Sequence, residues 1–135
     1  MQTALKLIQQ RYDALAAGDF AALYASYHSQ SPFIEQFPQE QDYLEFAAET
    51  LARLGVLQAH IGDLRETEEG IEVVCGLHFE LDGQEQVMFE LALLVDEDGR
   101  WRYHSAQKLT AEDYSGEFAG LDFEHFDSQA TKIRF

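Results

Sequence analysis

Glu35 stands beside Phe33, Ile34 and Phe37, in a stretch from His28 to Phe37 (HSQSPFIEQF) that has no clean hydrophobic period. A carboxyl group held among aromatic side chains is disfavoured as an anion. Its pKa then rises by up to a few units, each worth about 1.4 kcal/mol, toward the range where a carboxylate passes protons at neutral pH. The alternative for Glu35 is a solvated glutamate in a loop. Tyr12, Tyr24 and Tyr27 lie on helical faces, and a phenol so placed either orients a ligand oxygen or packs in a core with a wet tip. Glu35 is therefore the candidate base, and Tyr12 or Tyr27 the candidate donor to a developing oxyanion. His28 follows Tyr27 at a helix end, where the helix dipole favours a cation, which points to capping ahead of catalysis.

Other chemistries find no support. No His-x-His or His-Glu-x-x-His spacing occurs, and the single cysteine, Cys75, cannot build a zinc site, so neither metal nor cofactor is expected. Ser105 has no histidine and aspartate in a recognisable nucleophile turn, and no glycine-rich phosphate loop is present. Twenty-five Asp and Glu against nine Lys and Arg leave a formal charge of −16. Such a surface repels phosphate backbones and anionic lipid headgroups, so neither nucleic acid nor membrane is an expected partner. A lone cysteine makes no intramolecular disulfide, Met1-Gln2-Thr3-Ala4 lacks the basic-then-apolar order of a secretion signal, and no apolar run nears the roughly 20 residues of a membrane span. A soluble cytoplasmic protein is the expectation.

The elements that must position these residues change character at Gly55. Before it, Leu5, Ile8, Tyr12, Leu15 and Ala16 recur at helical steps until Gly18. Asp19 is placed to cap a second helix whose face carries Phe20, Leu23, Tyr24 and Tyr27. Pro38 suits the first turn of a third helix, with Leu44, Ala47, Ala48, Leu51 and Leu54 as its buried stripe. After Gly55 the period falls to two and turn signals appear at Glu69-Gly70, Asp82-Gly83 and Asp98-Gly99, so strands are predicted at about 56–66, 71–81, 85–95 and 100–109.

Ile71, Val73, Cys75, Leu77 and Phe79 share one face of the second strand, and Val87, Phe89, Leu91, Leu93 and Val95 one face of the third. Matching these apolar sets requires a three-residue loop, Asp82-Gly83-Gln84, which pairs Phe79 with Val87, Leu77 with Phe89 and Cys75 with Leu91. A two-residue loop would pair Leu77 with Met88 and Cys75 with Glu90, and is disfavoured on that ground. The preferred register makes the inward strand face wholly apolar. Its opposite face, with the fourth strand reached by a five-residue loop, gathers Val74, His78, Met88, Ala92, Leu94 and His104 into a candidate dimer surface. From Thr110 the chain alternates acids with Tyr114, Phe118, Phe123 and Phe126, a segment either packed on the domain or flexible. Residues 1–109 thus form one domain and 110–135 an acidic-aromatic tail.

Three helices before a four-stranded antiparallel meander make an α+β layout in which a curved sheet holds the helices in its concavity. The segment LIQQRYDALAAGDFAALYASYH resembles the opening of the nuclear transport factor 2-like (cystatin-like, SnoaL-like) superfamily, and Val95 to Tyr103 resembles the hairpin before its final strand. Within that group Arg11-Tyr12, Gly18-Asp19 and Tyr27-His28 are similar to the Arg-Tyr, Gly-Asp and Trp-His of the YchJ-like domain, over about residues 5–109. The resemblance implies a cone with a pocket between sheet and helices, dimers formed through the sheet, and, in the isomerase branch, a general base near Glu35. It also implies cysteine-rich zinc motifs that this sequence lacks.

Tyr12, Tyr24, Tyr27, Phe33, Phe37, Phe79, Phe89 and Trp101 are the residues expected to line that pocket. Three roles follow. The first is a non-catalytic binding or interaction domain, dimeric through the sheet, whose cone is filled or holds a small apolar ligand. The second is a lyase or isomerase acting on a small hydrophobic carbonyl compound. The third makes the tail a recognition segment for a protein partner.

Overall fold

The computed structural model describes residues 2–110 and 112–129. Helix α1 (Gln2–Ala17) buries Ala4, Ile8 and Tyr12, one face repeated every four residues. Gly18 ends it at φ 72°, a left-handed conformation that glycine adopts without a Cβ clash. Asp19 then caps α2 (Phe20–Ala25), its carboxylate accepting from the Ala22 N–H at 3.1 Å. Residues 26–28 run beside the last strand, where the Tyr103 N–H donates to the Ser26 carbonyl at 2.9 Å and the His28 N–H to the Tyr103 carbonyl at 2.8 Å.

A 3-10 turn at Ile34–Gln36 leads to α3 (Glu40–Thr50). This helix starts later than Pro38 predicts, because Asp42 reaches back to accept from the Gln39 N–H at 3.0 Å and sets the first turn there. Its fully buried residues are Tyr43 and Ala47, while Leu44 and Leu51 are partly buried and Ala48 is exposed.

Four strands follow in antiparallel order: β1 (Leu54–Glu66), β2 (Ile71–Leu81), β3 (Gln84–Glu97) and β4 (Arg100–Leu109). The register between β2 and β3 is the one that the hydrophobic pattern disfavours. Asp82 and Gly83 form a two-residue turn with φ of 53° and 82°, which pairs Leu81 with Gln84, Leu77 with Met88 and Cys75 with Glu90. Positive φ at both central positions is the turn whose twist matches paired strands, and Asp-Gly is a preferred sequence for it. The β3–β4 turn is built alike, with Asp98 at φ 54° and Gly99 at φ 83°, in place of the expected five-residue loop. A bulge between Leu93 and Leu94 then sets Ala92 opposite Ala106, not His104.

This register turns Ile71, Val73, Cys75, Leu77, Ala92 and Leu94 toward α1, and Val74, Phe89 and Leu91 to the other side. The outer face is covered by the chain's own C-terminal segment. Leu121 and Phe126 are buried there against Val74, Phe89, Leu91 and Leu109, with Tyr114, Phe118 and Phe123 packed alongside. A Cβ on Gly76 would stand 3.2 Å from the Phe118 ring, and one on Gly62 3.4 Å from it, so two strand glycines make the seat for that ring.

Helix α4 (Phe123–Asp127) is tied down at its last two residues. Gln107 Nε2 donates to the Phe126 carbonyl at 2.8 Å, and Arg65 grips Asp127 through two hydrogen bonds of 2.8 and 2.9 Å while its Nε holds Glu72. Residues 111 and 130–135 of the tail lie outside the described residues. Among the described residues no helix is long and apolar enough to cross a membrane.

Candidate functional site

Between the helices and the inner sheet face lies a cavity of about 280 Å³. Helix α1 contributes Arg11 and Tyr12, consecutive residues on the face that α1 turns to the sheet, and α3 contributes Tyr43 and Phe46. Leu77 of β2, Met88 and Glu90 of β3, and Tyr103 and Lys108 of β4 form the floor. Its volume is at the lower edge of the roughly 300–1,000 Å³ usual for small-molecule sites, and its walls are mainly apolar and aromatic.

Glu90 is the polar centre, 7% exposed. The Tyr103 hydroxyl donates to its Oε2 at 3.4 Å and the Cys75 thiol to its Oε1 at 3.5 Å. Burial and the neighbouring Glu90 push the Tyr103 phenol well above its ordinary value, so it stays a donor. The same two causes raise the Cys75 thiol, which makes it an inert core group, not a nucleophile. Tyr12, 8% exposed, lies beside that thiol, and its buried hydroxyl has no nitrogen or oxygen partner. Burial, with Cys75 and Glu90 next to it, keeps this phenol protonated as well. The cavity thus holds one carboxylate, one phenol that donates to it and one phenol with only a thiol beside it.

Arg11 closes one side. Its guanidinium carbon sits 3.7 Å from the centroid of the Tyr103 ring and 4.6 Å from that of Tyr27, and it donates to Ser26 Oγ and, at 3.5 Å, to the Tyr27 hydroxyl. Burial alone would lower its pKa, but the phenols of Tyr27 and Tyr103, with Glu90 adding to them, outweigh this and the group remains a cation.

Of the residues expected to line the pocket, Tyr12, Tyr27 and Phe33 do so. Tyr24 and Phe37 pack behind the wall against Tyr43. Phe79 and Trp101 belong to the sheet–helix core away from the cavity. Phe89 is on the outer face against Tyr114, because the two-residue turn reverses the facing of every β3 side chain. Glu35 is exposed on the 3-10 turn and is not part of the cavity wall, so the base expected there is absent from the site. His28 is buried outside the cavity, with its Nδ1 accepting from the Gln30 N–H at 3.0 Å and its ring against His104.

The six residues expected to make a dimer surface do not share a face. Met88, Ala92 and Leu94 turn to the helices, Val74 lies under the C-terminal segment, His78 pairs with Glu85 at 3.4 Å, and His104 sits at the β4 bulge. Sequence reasoning also missed Arg11, Glu90 and Tyr103, and the signal for Glu90 was available in the Asp82-Gly83 dipeptide that fixes the turn.

Residues 3–106 match the family described as YchJ, middle NTF2-like domain. The chain belongs to this family. The match spans both the helices and the strands that enclose the cavity, and an NTF2-like domain is a binding or isomerase-like domain. No curated protein matches the chain. Among the described residues no group of three or more His, Cys, Asp and Glu side chains is arranged to hold a metal ion.

Proposed function

We propose that this NTF2-like domain binds a small, largely apolar molecule in its cone, with an oxygen of the ligand accepting from the Tyr12 hydroxyl. The Tyr12 hydroxyl, buried on the cavity wall with only the Cys75 thiol beside it, carries this reading. A thiol sulfur is a weak acceptor, so a ligand oxygen gives this buried donor a stronger partner on binding. Leu77, Met88 and Phe46 supply the apolar contact.

Acetophenone and its oxygen-free counterpart ethylbenzene test it when titrated into methyl-labelled protein. Both should shift the Leu77 and Met88 methyl signals, and Tyr12→Phe should weaken acetophenone by roughly threefold to tenfold while sparing ethylbenzene. Silence at both methyls for both compounds contradicts the reading.

Glu90 favours a second reading, proton transfer of the isomerase kind. A carboxylate beside the phenols of Tyr12 and Tyr103 has the parts for taking a proton from a carbon next to a carbonyl while a phenol stabilises the enolate oxygen. Bound acetophenone in heavy water should then gain deuterium at its methyl group faster with the wild-type chain than with Glu90→Gln. Equal rates would leave binding alone.

A further inference from the structure

Strand β4 stops short of the β2–β3 turn. Its last residue, Leu109, pairs with Phe89, and the chain then leaves the sheet: the Thr110 N–H donates to Asp113 Oδ2 at 2.9 Å, and the Thr110 carbonyl accepts from the Asp113 and Tyr114 N–H groups at 3.0 and 3.1 Å. Residues 84–88 of β3 continue beyond that point, paired with β2 on one side only. Among the described residues no backbone hydrogen bond reaches their other side. In a two-residue hairpin the residues flanking the turn bond to each other and the bonding alternates from there, so Gln84, Gln86 and Met88 bond toward β2 while the N–H and C=O of Glu85 and Val87 face outward. An open strand edge of this kind is a template for a further strand.

Clefts border this edge. On the outer face one of about 620 Å³ lies between His78, Val87 and Phe89 of the sheet and Glu117 and Phe118 of the C-terminal segment. A second, of about 710 Å³, is lined by Phe79, Gln86, Val87 and Met88 and ends at Thr110 and Glu112. Val87 is 37% exposed between them. Side chains of an added strand alternate between the two faces of the sheet, so clefts that reach both faces accept successive side chains. Glu85, Glu112 and Glu117, all exposed, are among the lining residues, and no Lys or Arg is.

We infer that residues 84–88 of β3 are a docking edge for an extended segment of another protein that carries both basic and apolar side chains and adds to the sheet in line with β4. The outward backbone groups of Glu85 and Val87 call for a strand, Val87 and Met88 call for apolar side chains, and the three glutamates call for Lys or Arg. A second copy of this chain is the poorer occupant, because pairing two such edges gathers the glutamates of both copies in a chain whose formal charge is already −16. The inference needs no ligand in the inner cavity.

The test titrates three peptides into the full chain labelled at its amides and methyls: acetyl-Lys-Val-Lys-Val-Lys-amide, the same peptide N-methylated at every residue, and acetyl-Glu-Val-Glu-Val-Glu-amide. The first is expected to shift the Glu85 and Val87 amides and to give Overhauser contacts from its backbone to theirs. N-methylation removes the donors and keeps the charge, so it should weaken binding by roughly tenfold or more, and the glutamate peptide should be weaker by at least as much. Val87→Pro takes one outward donor from the protein at a position where an edge strand accepts proline, and it should weaken the first peptide by roughly threefold to tenfold. If that variant does not fold, the peptide comparison still decides. Equal binding of the methylated peptide reduces the contact to charge attraction and overturns the inference. Equal binding of the glutamate peptide, shifts confined to other residues, or binding of none of the three overturns it too. Concentration-dependent shifts at residues 84–88 without any peptide make a second copy the occupant and also overturn it.

Discussion

Val74, Phe89 and Leu91 lie under the C-terminal segment on the outer face of the sheet, while Cys75, Leu77, Met88 and Glu90 lie under the helices on the inner one. The outer contact is closed. Phe126 is fully buried, its carbonyl accepts from Gln107, and the Arg65 guanidinium, 4.4 Å from the Phe123 ring centroid, has two carboxylates. The inner contact is left looser, with a cavity, a phenol that has only a thiol beside it and a guanidinium that rests on ring faces and hydroxyls. Satisfied polar groups and dense packing serve stability, whereas unsatisfied groups around a void are unfavourable for the empty protein and become favourable once something fills it. The contrast separates the side of this sheet that holds the fold together from the side on which the proposed ligand site lies.

The strongest way to break that contrast is Phe126→Ala. If the outer face carries stability, the variant should lose about 3–5 kcal/mol in denaturant unfolding, the range for deleting a buried aromatic side chain. A loss below about 1 kcal/mol would make the C-terminal segment an ornament on the sheet.

Raising the pH probes the inner face. Cys75, with an ordinary value of 9.0, and Tyr12 and Tyr103, with ordinary values of 10.0, are all raised in the folded protein, first by burial. Each therefore stays protonated when folded and ionises when unfolded. Their contribution is fully present below the ordinary values and is lost as pH climbs past them, by up to about 1.4 kcal/mol per pH unit for each group. Unfolding followed from pH 8 to 11 should show stability falling as these groups ionise in the unfolded chain, and a flat profile across that window would contradict their burial as neutral donors.

Tyr12→Phe has the smallest expected effect and the opposite sign. Removing a buried hydroxyl that has only a thiol beside it should leave thermal stability unchanged or raise it by up to about 1 kcal/mol. A loss above that would mean the hydroxyl is already satisfied within the empty protein, and the cavity would have no donor waiting for a ligand.

The parts of the fold that could be read from the sequence are those with one buried face or strong turn chemistry. Helix α1 has a single apolar stripe, and Gly18-Asp19 ends one helix and caps the next, so both followed from residue types. Register did not follow from alternation, because β2 is buried without a break from Ile71 to Leu77 and a strand covered on both sides has no polar face to orient it. Turn chemistry at Asp82-Gly83 was the better guide than the apolar pattern.

The site suffered from the same error. With Phe89 taken as inward, alternation turns Glu90 to the surface and leaves Glu35 as the candidate carboxylate, which the structure places in solvent. Arg11 and Tyr103 meet only through a contact between α1 and the last strand, which no local pattern announces. Tyr12, Tyr27 and Phe33 were accessible to sequence reasoning because each is an aromatic on or just beyond a helix that must face the sheet.

Everything said of the cavity depends on the two-residue turn that brings Glu90 inside. Interstrand nuclear Overhauser contacts between β2 and β3 measure this directly. The account predicts contacts from Leu77 to Met88 and from Cys75 to Glu90 across the strands. Direct cross-strand pairing of Leu77 with Phe89 and Cys75 with Leu91 would shift the register by one residue, turn Glu90 away from the helices and remove the carboxylate from the cavity.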